Sequence, residues 1–179
     1  VDYNDLAARN GQVTIYDQMR WDTNILANPN YSFVSGTGAH DIITITRNGT
    51  NADVTVEAFA DAGYTTPITV PSLGGTTYSY SFTLADAILV YAGDSNDQII
   101  VDADLGVDVR IDGMLGTDTL IVDGKNAAHV VYTPNANSPV GVDLVPSFGG
   151  TITADNSSIF FENFETTGAV SIENVNTEI

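Results

Sequence analysis

Residues Asp86–Leu105 can be laid over Val107–Asn126 with a shift of 21 positions. The shift places Ile88 on Val109, Val90 on Ile111, Asp97 on Asp118, Ile99 on Leu120, Val101 on Val122 and Asp102 on Asp123. A further shift of 21 carries Val109 to Val130 and Ile111 to Tyr132. The pattern Asp-x-[Ile/Leu]-x-[Val/Ile] starts at Asp41, Asp86, Asp97 and Asp118. A fixed offset across turns of unequal composition points to stacked units that cannot bury their apolar sides alone. The fold expected is therefore all-β, a right-handed parallel β-helix or β-solenoid with coils of about 21 residues. Ile88/Val109/Val130 and Val90/Ile111/Tyr132 would form its inward ladders, with Asp108 and Arg110 pointing outward. An antiparallel β-sandwich is the alternative, suited by the hairpin signal Asn48-Gly49 between two alternating runs and by the strand Tyr78–Leu84.

The chain divides at about residue 34. Residues 1–34 read as an N-terminal cap or docking segment, with a short helix over Asp5–Arg9 ending at Asn10-Gly11. That segment holds the only tryptophan, Trp21. Residues 35–179 form the β domain. Its strands are short and separated by Gly, Asn and Asp, from Asp41–Arg47 and Asp53–Ala58 through to Ile159–Phe161 and Ala169–Ile172. In "IIV" (Ile99–Val101) and "LIV" (Leu120–Val122) the alternation breaks. If Ile99 and Leu120 point inward, Ile100 and Ile121 form an apolar outer stripe that needs a cover. Ile100, Ile121 and Trp21 are therefore the candidate interface residues.

Composition narrows the function. The net charge is −18, with only five basic residues. Phosphate binding needs a Lys/Arg surface, so nucleic acid and anionic membranes are excluded as partners. No apolar run reaches the ~18–20 residues of a membrane span. Asp outnumbers Glu by 18 to 5, and Asp suits turns, caps and calcium loops. The absence of Cys excludes disulfides and thiolate zinc sites. The chain begins at Val1, as a processed or excised segment would. Three N-glycosylation sequons start at Asn30, Asn48 and Asn156; they matter only in a eukaryotic secretory pathway.

"AGDSNDQII" (Ala92–Ile100) and "GMLGTDTLI" (Gly113–Ile121) resemble degenerate copies of the calcium-binding nonapeptide of RTX proteins, G-G-x-G-x-D-x-U-x. Asp97 and Asp118 match its ligand Asp, and Ile99 and Leu120 its buried aliphatic position. "GTGAHDIIT" (Gly36–Thr44), with Asp41, is a poorer third copy. Ala92, Ser95 and Met114 replace glycines of the motif. The wider pattern looks like the repetitive surface proteins and adhesins of bacteria. The resemblance implies an extracellular or cell-surface location and calcium as the cofactor.

Asp94, Asp97, Asp112 and Asp118 are the candidate metal ligands. Calcium takes ~6–8 oxygens from carboxylates and carbonyls, which stacked turns can supply. The competing reading is that these Asp residues cap their own turns and stay solvated. No catalytic residue is assigned. His40 and His129 lack metalloprotease spacing, and no nucleophile elbow or phosphate loop occurs. The expected function is a non-catalytic extracellular structural module, part of a surface fibre, layer or adhesin, which self-associates or stacks on neighbouring repeats. The alternative is a calcium-dependent carbohydrate- or protein-binding module. A carbohydrate-active enzyme ranks behind both.

Overall fold

A computed structural model describes residues 31–70, 74–84, 87–134, 148–165 and 168–175. Among these residues twelve strands are present: β1 (Tyr31–Ser35), β2 (His40–Asn48), β3 (Asn51–Phe59), β4 (Thr77–Thr83), β5 (Ala87–Tyr91), β6 (Gln98–Asp102), β7 (Asp108–Asp112), β8 (Thr119–Asp123), β9 (Val130–Pro134), β10 (Phe148–Ala154), β11 (Ser157–Phe164) and β12 (Val170–Glu173). They form two six-stranded sheets, ordered β1-β5-β7-β11-β10-β9 and β12-β8-β6-β2-β3-β4.

Alternation sets the faces. In β2 and β3 every second residue is buried, including Asp41, Ile43 and Ile45 of β2 and Ala52, Val54 and Val56 of β3. The two strands pair antiparallel from His40↔Phe59 to Asn48↔Asn51. Gly49 turns the corner at φ +64°, the left-handed geometry that Asn-Gly hairpins favour.

The 21-residue offset is the actual register between neighbouring strands. β5 and β7 run parallel with Ile88 on Val109 and Val90 on Ile111. β6 and β8 run parallel with Ile99 on Leu120, Val101 on Val122 and Asp102 on Asp123. Short turns carry the chain from the first sheet to the second four times, between β1 and β2, β5 and β6, β7 and β8, and β11 and β12. The inner faces therefore lie against each other. Ile43, Ile45, Ile99, Val101, Leu120 and Val122 of the second sheet share one buried cluster with Ile88, Val90, Val109, Ile111, Ile159 and Phe161 of the first.

The parallel β-helix or solenoid expected from the repeat is corrected by this topology. Both sheets are mixed and neither closes; the sandwich describes the architecture better, although its sheets are not purely antiparallel. The physical reason is the pair of hairpin excursions. After Asn48-Gly49 the chain folds back through β3 and β4 rather than beginning another coil. After β8 it forms β9, which pairs antiparallel with β10, which pairs antiparallel with β11. The third rung of the expected ladders is corrected too. Val109 and Ile111 lie beside Ile159 and Phe161, not Val130 and Tyr132. Tyr31–Ser35 enters the first sheet as β1, whereas the expected helix over Asp5–Arg9 and Trp21 lie outside the described residues.

Ile99 is fully buried between both sheets. Ile99→Ala is expected to cost about 2–5 kcal/mol in a denaturant titration, through lost transfer energy and the cavity left behind.

Candidate functional site

Three of the sheet-to-sheet turns stack in one column: Gly36–Asp41, Ala92–Asp97 and Gly113–Asp118. Backbone bonds hold them and the strand ends beside them in register. Gly36 N–H donates to the Tyr91 carbonyl (2.8 Å), Ala92 N–H to Asp112 (3.0 Å) and Gly113 N–H to Glu162 (3.1 Å). The turns need left-handed backbone. Gly93 has φ +116° and Gly116 +155°, but Ser95 (+82°) and Met114 (+69°) adopt it without being glycine. Each such residue is strained by about 1 kcal/mol or more. The missing glycines of the nonapeptide motif thus leave the turn shape in place at an energetic cost.

Each turn ends in a buried carboxylate. Asp41, Asp97 and Asp118 are all 0% exposed. They form a relay along the column, in which the backbone N–H of each Asp donates to the carboxylate of the next acid. Asp97 Oδ1 accepts from Asp41 N–H (2.7 Å), and Asp118 Oδ1 accepts from Asp97 N–H (2.9 Å). Glu165 Oε2 accepts from Asp118 N–H (3.0 Å). Asp41 is satisfied at the other end, where both its oxygens accept from the Thr37 hydroxyl at 3.0 and 2.9 Å.

The second oxygens of Asp97 and Asp118 are different. Asp97 Oδ2 and Asp118 Oδ2 are buried and have no hydrogen-bond partner. Such atoms are rare in native interiors and call for an explanation. Backbone carbonyls crowd the same column. A Cβ placed on Gly113 would lie 2.5 Å from the Asn163 carbonyl oxygen and 2.7 Å from Asp118 Oδ2. One on Gly116 would lie 1.6 Å from the Ser95 carbonyl oxygen and 3.1 Å from Asp118 Oδ1. Oxygen-rich, water-poor space of this kind suits a hard cation.

Electrostatics agree. Burial pushes Asp97 up to about 10; the Asp41 N–H bond opposes the rise, and the charges of Asp41, Asp118 and Asp94 add to it. Burial pushes Asp118 up to about 8, opposed by the Asp97 N–H and reinforced by Glu165 and Asp112. Asp41 rises only to about 6, because the Thr37 bonds and His40 offset its burial. Burial and the neighbouring negative charges thus favour the protonated forms of Asp97 and Asp118.

The four candidate ligands do not converge. Asp97 and Asp118 are adjacent members of the relay. Asp94 is exposed, its backbone bridged to Leu115. Asp112 belongs to another group, at the end of β7 in the first sheet, where its Oδ1 accepts from Met114 N–H (2.9 Å) and Asn163 Nδ2 (2.7 Å). There it lies in register with Tyr91 and Glu162. Burial and the nearby Asp112 push Glu162 up to about 8, and its buried Oε1 has no partner. Thr37, Asp41 and Glu165 complete the relay and were not among the candidate ligands. Asp41 carried a signal, since it opens the first Asp-x-Ile-x-Ile copy; Glu165 carried none.

The opposite ends of β6 and β8 show a contrasting solution. Asp102 and Asp123 are register partners, and Lys125 Nζ bridges them at 3.1 and 3.0 Å. Hydrogen bonds from Lys125 and Asn174 outweigh the burial of Asp123 and hold its carboxyl below the usual range. This acidic row is neutralised by a lysine. Ile100 and Ile121 stand side by side on the outer face of the second sheet and are half-buried. Trp21 lies outside the described residues.

Among the described residues, no three Asp, Glu or His side chains are grouped around one metal position. No protein-family model matches the chain, no curated protein is significantly similar to it, and no solved structure matches it significantly.

Proposed function

We propose that the chain is a non-catalytic, calcium-dependent binding module that works outside the cell. The observation that carries this reading is the pair of buried, unpartnered oxygens, Asp97 Oδ2 and Asp118 Oδ2. Calcium accepts carboxylate and carbonyl oxygens in irregular geometry and tolerates a low side-chain count. Asp97 and Asp118 would supply the side-chain oxygens, joined by carbonyls of the stacked turns. Extracellular modules bind calcium at about 10⁻⁴–10⁻³ M, which suits so few formal charges per ion.

The bound ion would fix the turn column, whose tips carry the binding surface. Leu115 is 55% exposed at such a tip, and Asp94 is exposed beside it. An apolar contact next to a carboxylate offers a docking point for a carbohydrate or a protein partner. One oxygen each of Asp97 and Asp118 accepts a backbone N–H bond, a use that suits a structural acid rather than a hydrolytic pair.

Calorimetric titration of the intact chain with calcium tests the reading. At a free concentration 100 times the dissociation constant, one site stabilises the fold by about 2.7 kcal/mol. For a chain of this length that raises the melting temperature by roughly 5–10 °C. No calorimetric binding and no melting shift between millimolar calcium and EDTA would overturn it.

A further inference from the structure

We propose that the chain assembles head to tail with further copies of itself, edge strand β9 of one copy joining edge strand β4 of the next. The proposal rests on sheet edges and not on the carboxylate relay. Among the described residues, β4 ends the second sheet on the side of β1 and β2, and β9 ends the first sheet on the side of β11 and β12. The two edges therefore lie at opposite ends of the stack.

Edge strands expose unpaired N–H and C=O groups, and monomeric proteins usually protect them with charge, proline or bulges. β4 (TYSYSFT) and β9 (VVYTP) contain no charged residue, in a chain with net charge −18. The one proline, Pro134, stands at the last position of β9. Three of the four large apolar side chains exposed among the described residues lie on these strands: Val131 at 59%, Tyr132 at 37% and Tyr78 at 37%. The other two edges are better protected. β12 has four residues and carries Glu173, and the Tyr80 hydroxyl donates to the Phe33 carbonyl of β1 (3.4 Å).

Charge favours a second copy as the occupant, and the area sets how weak that contact is. An acidic chain repels its own kind everywhere except at uncharged edges, and salt screens the rest. An edge of five to seven residues is roughly 20 Å long and sits in a sheet layer about 10 Å thick. That is about 200 Å² per partner, well below the ~800 Å² of a standard stable interface. The contact is weak, visible at high concentration and strengthened by salt. Because it joins two different surfaces at opposite ends, it propagates as an open filament and not as a closed dimer.

Sedimentation velocity on the full chain, from about 10 μM to 1 mM in 0.15 and 0.5 M NaCl, reads the assembly. Wild type is expected to shift to a continuous series of larger species as concentration and salt rise. Val131→Glu and Tyr78→Glu each abolish the series. An equimolar mixture of the two forms only dimers, because each variant keeps one intact edge. Both side chains are exposed, so melting curves should match wild type; Thr133→Glu and Thr77→Glu replace either variant that fails to fold. A wild type that stays monomeric to 1 mM overturns the proposal. So does a Tyr78→Glu variant that forms dimers by itself, since that outcome means symmetric β9–β9 pairing.

Discussion

Gly93→Ala is expected to destabilise the fold by about 3 kcal/mol or more, lowering the melting temperature by roughly 6–12 °C. Two independent effects add at this position. Gly93 has φ +116°, a conformation that costs an L-residue about 1–3 kcal/mol. Its new Cβ would also lie 2.1 Å from the Thr37 carbonyl oxygen. That atom is backbone in the neighbouring turn, so no side chain can swing away to relieve the clash. Thr37 must move, and its hydroxyl and N–H are the groups that satisfy Asp41. The damage therefore reaches the top of the carboxylate relay. Gly38→Ala is the control, because nothing lies within 4 Å of its added Cβ; its melting curve should stay within about 0.5 kcal/mol of wild type. Thermal melts of both variants by circular dichroism decide the point.

The 21-residue shift was readable because β5/β6 and β7/β8 are joined by turns of matching length, so sequence offset and strand register coincide. It failed at the next step for a physical reason. Ile159, which lies beside Val109, comes 50 positions later, since the β9–β10 excursion intervenes. An insertion of this kind leaves the local strand pattern intact and erases the period. The burial of the aspartates was also legible by parity. Asp41, Ile43 and Ile45 share one face of β2, and Asp97 and Asp118 stand at the same spacing, one residue before β6 and β8 and two positions ahead of the inward Ile99 and Leu120. The reading of these Asp residues as solvated turn caps, which competed with the metal-ligand reading, overlooked that spacing. Glu165 was beyond reach, because its turn follows Asn163, at φ +59°, and repeats no part of the Gly-rich pattern. The hairpin at Asn48-Gly49 was legible by itself, whereas the antiparallel pairing of β9 with β10 was not, because Val130 and Tyr132 read as a third rung; which strands end as edges depends on sheet order, which no local pattern encodes.

In EDTA, the wild-type chain is expected to lose stability as pH rises from 5 to 8, and Asp97→Asn is expected to reduce that loss. The sign follows from proton binding. Asp97 and Asp118 are pushed up to about 10 and about 8 by burial, whereas an unfolded Asp ionises near 3.9. Between those values the folded chain holds protons that the unfolded chain has released. Stability conferred by the protonated groups is full below the unfolded pKa and is lost as pH rises, by about 1.4 kcal/mol per pH unit for each group. Asn at position 97 keeps the amide oxygen that accepts the Asp41 N–H and carries no titrating proton. Wild type and Asp97→Asn should then have similar melting temperatures at pH 5. At pH 8, three pH units higher, the variant should be the more stable by about 4 kcal/mol. Calcium at about 10 mM should narrow that gap at pH 8 by about 1–3 kcal/mol, because the ion stabilises only a chain that can offer it a carboxylate at position 97. The narrowing separates a cation site from a merely acidic turn, whose gap would be the same in both buffers.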